Sequence, residues 1–410
     1  MPAPSRSPLP PAYEALQPPP GPRRRRPRRN RSLLHSVLAL VAALVLVVGA
    51  LGTWSVVGAY SSPGNSSFQA KWADWMRAHG MGSLVSSFES YYYKAQQPAK
   101  GGRPKGLNPI VKARPIGTTD PHAAPVPPPG LPAPSPVPLV VAPALPGEGQ
   151  WQPIGPLIDG QPAMYEAQFR ADTVYTGEIT TAVWMDPLRL HIAMIPGLRE
   201  PGGTWSHPPY ITPAELPSVI AAFNGGFRFQ DAHGGFYLDG RMAVPLVNGA
   251  ASFVIYKDGK VNIGAWGTEV TMTPNVVSVL QNLVPIVDGG HTAPSATYTD
   301  SRIWGATLGG NVVVARSGVG VTADGALVYV AGPALTARTL AESLQRVGAV
   351  RAMTLDINPE WVTFNIFSHP NPSNPSYVVG NKLYPQMQRP ADRYLGPTLE
   401  SRDFFEVSLP

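Results

Sequence analysis

The chain has 410 residues, more than one ordinary domain, but 49 prolines and only 14% charged residues make it unevenly foldable. It has no cysteine, which excludes disulfides, thiol nucleophiles and thiolate-bound metal. The net charge of +6 is local, because seven arginines lie within 23–31 and the remainder is about neutral, which excludes a nucleic-acid-binding face.

Residues 1–32 read as a basic, proline- and arginine-rich tail. Directly after it, residues 33–51 form a run of 19 without a formal charge, long enough for one membrane-spanning helix. A transmembrane segment over 33–53 is therefore expected, with the lipid bilayer as its partner. The arginines place the N-terminus in the cytoplasm and the rest of the chain outside. The competing reading is a cleaved signal peptide; a leading segment of ~30 residues argues against it.

Residues 54–98 read as a juxtamembrane stem. Within 67–93, Phe68, Trp72, Trp75 and Met76 recur at helical spacing up to Gly80 and Gly82. Two uses are open: an interfacial or partner-binding helix, and a stem that packs on itself. Residues 99–147 are dominated by proline and predict an extended arm, at ~3.1 Å per residue, reaching outward from the membrane.

From 148 to 410 the composition becomes globular. Residues 180–186 and 188–194 read as strands around Asp186-Pro187, and 219–223 as a buried strand entering Asn224-Gly225-Gly226. Thr212, Pro213 and Glu215 form a helix-start pattern that Pro217 cuts short. Further strands are expected at 252–256, 261–266, 284–287, 312–315 and 326–330, with turns at Asp239-Gly240, Asp258-Gly259 and Asp324-Gly325. The strongest helix lies within 336–347, with Thr339 and Glu342 as its capping box and Gly348 as its stop. A strand at 350–355 follows, so the crossover predicts parallel neighbours. The fold class is α+β: a mixed, largely antiparallel sheet with one strand–helix–strand unit.

The ordered motifs resemble the phosphodiester glycosidase family, whose best-known activity removes N-acetylglucosamine from a phosphodiester. They are a strand pair around Asp186, Asn224-Gly225-Gly226-Phe227, Gly235 with Asp239-Gly240, Pro285-Ile286-Val287-Asp288-Gly289, Arg316-Ser317-Gly318-Val319-Gly320 with Asp324-Gly325, and Leu355-Asp356. The resemblance covers roughly 160–367. The family's Asp-Gly-Gly-Gly-Ser stands here as Asp356-Ile357-Asn358-Pro359-Glu360. Glycines there would let backbone approach a ligand, and Ile357 and Pro359 would obstruct it.

Chemistry on a sugar phosphodiester needs phosphate neutralisation, acid/base help and a carboxylate near the anomeric carbon. Arg316 is the expected phosphate ligand, since guanidinium matches phosphate bidentately. Asp356 is the expected acid/base or stabilising group. Asn224 is expected to orient substrate. Gly225, Gly226, Ser317, Asp288, Asn358, His233 and Trp361 are expected to line the substrate site, while Glu360 reads as a surface residue. Trp266 and Trp304 read as core more readily than as sugar platforms. The histidines have no metal-ligand spacing, so no metal and no cofactor are expected. The expected function is a membrane-tethered, extracytoplasmic hydrolase of a phosphodiester-linked sugar in a bacterial cell envelope. Two alternatives stand: a non-catalytic binder of envelope glycopolymer, and an assembly protein acting through 67–93.

Overall fold

A computed structural model describes residues 31–85, 87–88, 98–115, 130–297, 301–304 and 312–410. The arginines from Arg23 to Arg29, the tyrosines 91–93 and the middle of the proline-rich segment lie outside the described residues. The chain divides into two compact units, Met1–Val56 and Val57–Pro410. Helix α1 (Arg31–Tyr60) runs through the first and ends in the second. Its stretch His35–Tyr60, 26 residues near the N-terminus, is apolar and long enough to be a membrane span or signal anchor.

In the second unit, α2 (Phe68–Ala78) is N-capped by Ser67, whose hydroxyl accepts from the Ala70 amide. Ala73, Met76 and Val85 form a small apolar cluster with Trp72, Trp75 and Met81.

The strands among the described residues fall into three sheets, antiparallel at every pairing except the first. The largest has the order β1 (Arg114–Pro115), β2 (Gln152–Ile158), β3 (Gln161–Phe169), β4 (Thr180–Met185), β15 (Leu327–Leu335), β14 (Val314–Thr322), β16 (Ala349–Thr354), β12 (Val287–Asp288) and β13 (His291–Thr292). A second contains β10 (Val261–Ala265), β9 (Ala251–Tyr256), β11 (Val276–Gln281), β7 (Phe236–Leu238) and β8 (Arg241–Val244). The third contains β18 (Val379–Lys382), β17 (Phe364–Ser368), β6 (Val219–Asn224), β19 (Phe404–Ser408) and β5 (His191–Ile195). Short turns of helix, α3 (Phe229–Ala232) and α4 (Ser301–Trp304), precede α5 (Ala337–Arg346). This is the expected α+β class.

One apolar core joins the inner faces of the three sheets. Phe223 stacks on Phe364 and Phe405, with ring centroids 5.6 and 5.0 Å apart. A second core lies under α5, where Leu340 and Leu344 pack on Val328, Val330 and Ala352. Trp304 joins this core, and Trp266 is buried under the second sheet, so both pack rather than present a ring to a ligand.

Four local expectations change. The strands flanking α5 are parallel to each other but not neighbours, because β14 lies between them and pairs antiparallel with both. The α5 capping box is Thr336 with Thr339, one turn before the pair expected from sequence. Residues 213–218 form turns, with the Glu215 carboxylate accepting from the Thr212 amide and hydroxyl at 2.6 and 2.7 Å, so the capping contact forms without a helix. The described flanks of the proline-rich segment lie against the domain instead of extending away. Asn108 exchanges hydrogen bonds with the Gln168 side chain, β1 pairs with β2, and buried Arg170 donates to Val141 O, Pro143 O and Glu148. Proline-rich backbone has many unpaired carbonyls, and a guanidinium can satisfy several at once.

Candidate functional site

Strand alternation decides which motif residues meet. In β14, Val319 and Val321 face the inter-sheet core, as does Ser317, while a Cβ placed on Gly318 would meet Leu340 and Leu344 of α5. Ser317 therefore points toward the end of β6, where its hydroxyl lies 3.1 Å from Asn224 Nδ2. The same hydroxyl accepts from the Asp356 amide at 3.2 Å. Three segments far apart in the chain thus meet through one serine.

Asn224 is buried and fully engaged. Its carbonyl accepts from the Tyr329 hydroxyl at 3.0 Å and the Thr363 amide at 3.1 Å, while its amide donates to Gly225 O at 2.8 Å and to Ser317. That arrangement fixes the Asn-Gly-Gly turn and leaves the side chain no spare donor for a sugar. The buried Asn282 clamps the same turn from below. It donates to Thr354 O and Leu355 O at 2.9 and 2.8 Å and accepts from Phe227 N at 3.2 Å.

Asp356 follows β16 directly. One carboxylate oxygen accepts from the amides of Ile357 and Asn358, both at 2.8 Å, and the other from Arg402 at 2.6 Å. The aspartate thereby closes its own turn, and none of residues 357–360 has a positive φ. Ile357 and Pro359 are thus accommodated without the glycine conformations of the family pattern. Asn358 accepts from Glu360 N at 3.0 Å and caps the same loop. Glu360 is not a surface residue: it accepts from the Ser67 amide at 2.9 Å and pairs with Arg389 at 3.3 Å.

The third sheet adds residues that the sequence did not single out. Phe404 pairs with Asn224, so Arg402 and Asp403 arrive beside the glycine turn. A Cβ on Gly225 would lie 1.8 Å from Asp403 Oδ2, which makes glycine obligatory there. Both Asp403 carboxylate oxygens are buried and meet no donor at hydrogen-bonding geometry. Burial pushes its pKa up to about 7; Arg402 and off-geometry amides only partly offset this, and nearby Glu200 adds to it. Burial also raises the Asp356 pKa, but Arg402 and two amides counter it at bonding distance. The only sequence signal for Arg402-Asp403 was a charged pair directly before the alternating strand 404–408.

A cavity is lined by Asn224, Gly225, Asp356, Trp361, Arg402 and Asp403, with Gly226, Arg393, Tyr394 and Glu400 around them. It leaves ≈ 10 Å³ for the centre of a water-sized sphere, room for about one water. Arg402 lies over the Trp361 ring, its guanidinium carbon 4.5 Å from the centroid, and Arg393 pairs with buried Glu400 at 2.6 Å.

Of the sequence-stated candidates, Asp356, Asn224, Gly225, Gly226 and Trp361 line this cavity, and Ser317 and Asn358 hold its walls. Arg316 does not join them. As the immediate neighbour of Ser317 it projects to the opposite face of β14, donating to Leu335 O at 2.9 Å and Val312 O at 3.2 Å. The expected convergence of Arg316 with Asp356 is therefore corrected; the cation beside Asp356 is Arg402. Asp288 is exposed on the edge hairpin at Gly289-Gly290, and His233 is an exposed, left-handed residue closing α3. Neither reaches the cavity. Among the described residues no cluster of His, Asp and Glu could hold a metal.

Residues 217–356 match the phosphodiester glycosidase family model, which supports a glycosidase-type hydrolase function. No curated protein matches the chain. Among solved structures, it is similar to the catalytic domain of zebrafish N-acetylglucosamine-1-phosphodiester alpha-N-acetylglucosaminidase, at 16% identity and TM-score 0.38 over 61% of this chain and 85% of that one. It is also similar to a hypothetical protein from Synechocystis, at 10% identity and TM-score 0.33 over 63% and 64%. Asp403, Arg402 and Trp361 lie outside the matched residues.

Proposed function

We propose that this chain, whose residues 217–356 match phosphodiester glycosidases, hydrolyses a phosphodiester-linked sugar outside the membrane to which α1 tethers it. The observation that carries this reading is the pair of buried carboxylates on one cavity, Asp356 bonded to Arg402 and two amides and Asp403 meeting no donor at hydrogen-bonding geometry.

Asp356, bonded to Arg402 and two amides, serves as the ionised group facing the anomeric carbon. Asp403, without a donor, holds its proton to about pH 7 and gives it to the departing phosphate oxygen. The C1–O bond breaks with its electron pair leaving on phosphate, and water supplies the hydroxyl at C1 while its released proton returns to the Asp403 carboxylate. Arg402 meets the phosphate charge, and Trp361 offers a face to the sugar. A sugar ring needs more room than one water, so the proposed reaction requires the cavity to widen on binding. Asn224, Ser317 and Asn282 are positioning residues.

The test is release of free sugar from a panel of synthetic sugar phosphodiesters by the full chain, compared with Asp403→Asn. Turnover that falls at least a hundredfold in the variant is expected. No turnover on any member overturns the reading. Binding of those substrates without turnover would favour the glycopolymer-binder alternative, which draws on Ile357-Asn358-Pro359-Glu360 in place of the family's Gly-Gly-Gly-Ser.

A further inference from the structure

We propose that the cleft is held at the bilayer surface and takes lipid-linked sugar phosphodiesters, in which the second ester of the phosphate is to a membrane lipid. This rests on the hydrolase reading above and narrows its substrate class. The carrying observation is where the chain first binds to the rim of the cleft.

Helix α1 ends at Tyr60, and its last turn is packed: Ala59 is fully buried, and a Cβ on Gly58 would fall 2.1 Å from Trp75 Nε1 of α2. Within five residues the chain is bonded to the cleft. Asn65 donates from its amide to Leu399 O at 2.9 Å and from its side chain to Arg393 O at 3.2 Å and to the Glu400 carboxylate, while Arg389 donates to Asn65 O. Ser66 donates to the Ser401 hydroxyl at 2.9 Å, and the Ser67 amide donates to Glu360 at 2.9 Å. Arg393 and Glu400 line the cavity itself. Asp74 of α2 then pairs with Arg228 at 3.3 Å and Arg199 at 3.6 Å.

At ~3.6 Å per residue, the five steps from Tyr60 to Asn65 span at most about 18 Å. The proline-rich segment comes later in the chain, and its described flanks are bonded to the same compact unit. It therefore cannot act as a spacer between α1 and the cleft, however extended its middle is. Tyr60, Phe68, Leu84 and Phe88 remain exposed at 81, 43, 63 and 64% around this attachment. Aromatic and aliphatic side chains beside the end of an apolar helix suit the headgroup layer. A lipid-linked sugar carries its anomeric phosphate at that level. Hydrolysis there adds water across the C1–O bond, releasing free sugar and leaving a lipid phosphomonoester in the membrane.

The experiment uses the full chain reconstituted in phospholipid vesicles, with a second version carrying a flexible 20-residue Gly/Ser insertion between Ser62 and Pro63. Two substrates share one sugar phosphate: one has a long lipid chain embedded in the vesicles, the other a short soluble alkyl chain. The native chain is expected to turn over the lipid-borne substrate at least tenfold faster, and the insertion to remove that advantage without slowing the soluble substrate.

Because the chain has no cysteine, single Leu399→Cys and Ala323→Cys variants can each carry one fluorophore against a lipid-headgroup acceptor. Ala323 lies six residues along β14 from Ser317, roughly 20 Å from the cleft end. Strong quenching at 399, weak quenching at 323 and loss of the difference on insertion are expected. Equal quenching at both positions, or equal service of both substrates with no effect of the insertion, overturns the proposal. Absence of turnover on both substrates sinks the hydrolase reading, while the quenching still decides where the cleft stands.

Discussion

The two faces of β14 use adjacent residues in opposite ways. On the cleft face, Ser317 joins three chain segments through hydrogen bonds, and of the two carboxylates on the same cavity Asp356 is fully bonded while Asp403 meets no donor at hydrogen-bonding geometry. On the helix face, Arg316 is equally buried, yet it only ties Leu335 O and Val312 O together, with one guanidinium nitrogen unpartnered among the described residues. A buried ionisable group is thus not by itself a functional one. What separates the two faces is convergence: one collects charges from distant parts of the chain around a cavity, and the other does not.

The sharpest way to break this contrast is Asp403→Asn. If the cleft face is catalytic, turnover falls by about 10²–10⁴. The activity of the native chain declines as pH rises through about 7, where Asp403 loses its proton, and the variant lacks that limb. Stability of the native chain also falls as pH rises. The folded chain holds the proton to about pH 7 and the unfolded chain only to about 4, so the native protein loses stability between those values. Asp403→Asn avoids that loss. Its advantage is small below pH 4, grows to a ceiling of about 4 kcal/mol near pH 7 and stays level above. Urea unfolding at pH 4, 6 and 8 measures it, and a constant difference across the three would contradict the burial argument.

Gly225→Ala should have the next largest effect. The new methyl overlaps Asp403 Oδ2, and β19 and the Asn224 turn must separate to admit it. Turnover should fall at least tenfold, with a stability cost of about 1–3 kcal/mol. Calorimetry alongside kinetics separates the two effects.

These residues also mark how far the sequence could be read. Asn224, Ser317 and Asp356 stood out because each sits at a strand end inside an ordered motif, and strand ends are where a sheet presents groups to a ligand. Arg316 belongs to the same motif but lies on the other face: a motif records spacing, the period of 2 decides the face, and the bond from Ser317 to Asn224 fixes which face is which. Arg402 and Asp403 carry only a weak sequence signal, a charged pair before a strand, for a different reason. They reach the cleft through β19 pairing with β6, a contact between residues 180 or more positions apart that local pattern does not announce. The proline-rich segment was read from composition as an outward arm; its described flanks lie on the domain because Arg170 and Gln168 supply the partners its backbone needs.

Ser317→Ala tests the junction itself. It removes the hydroxyl between Asn224 and the Asp356 amide but leaves both carboxylates, so kcat should fall about tenfold with KM little changed. Ser317→Thr keeps the hydroxyl and should recover part of the loss. A variant with native kinetics would mean that the three segments hold their places without it.

The smallest effect is expected at Arg316→Met, the counterpart on the other face. Burial alone lowers the Arg316 pKa to about 10, so at neutral pH the charge is retained at a desolvation cost of at most about 3 kcal/mol. Methionine removes that cost and fills similar volume, but it strands the carbonyls of Leu335 and Val312, at about 1 kcal/mol each. The opposing terms nearly cancel, so the midpoint of thermal unfolding should move by only a few degrees. Turnover should stay within about threefold of native, since the side chain reaches no cavity-lining group. A hundredfold loss of turnover with an unchanged unfolding midpoint would put Arg316 back among the groups that contact substrate, and the two faces of β14 would no longer differ in kind.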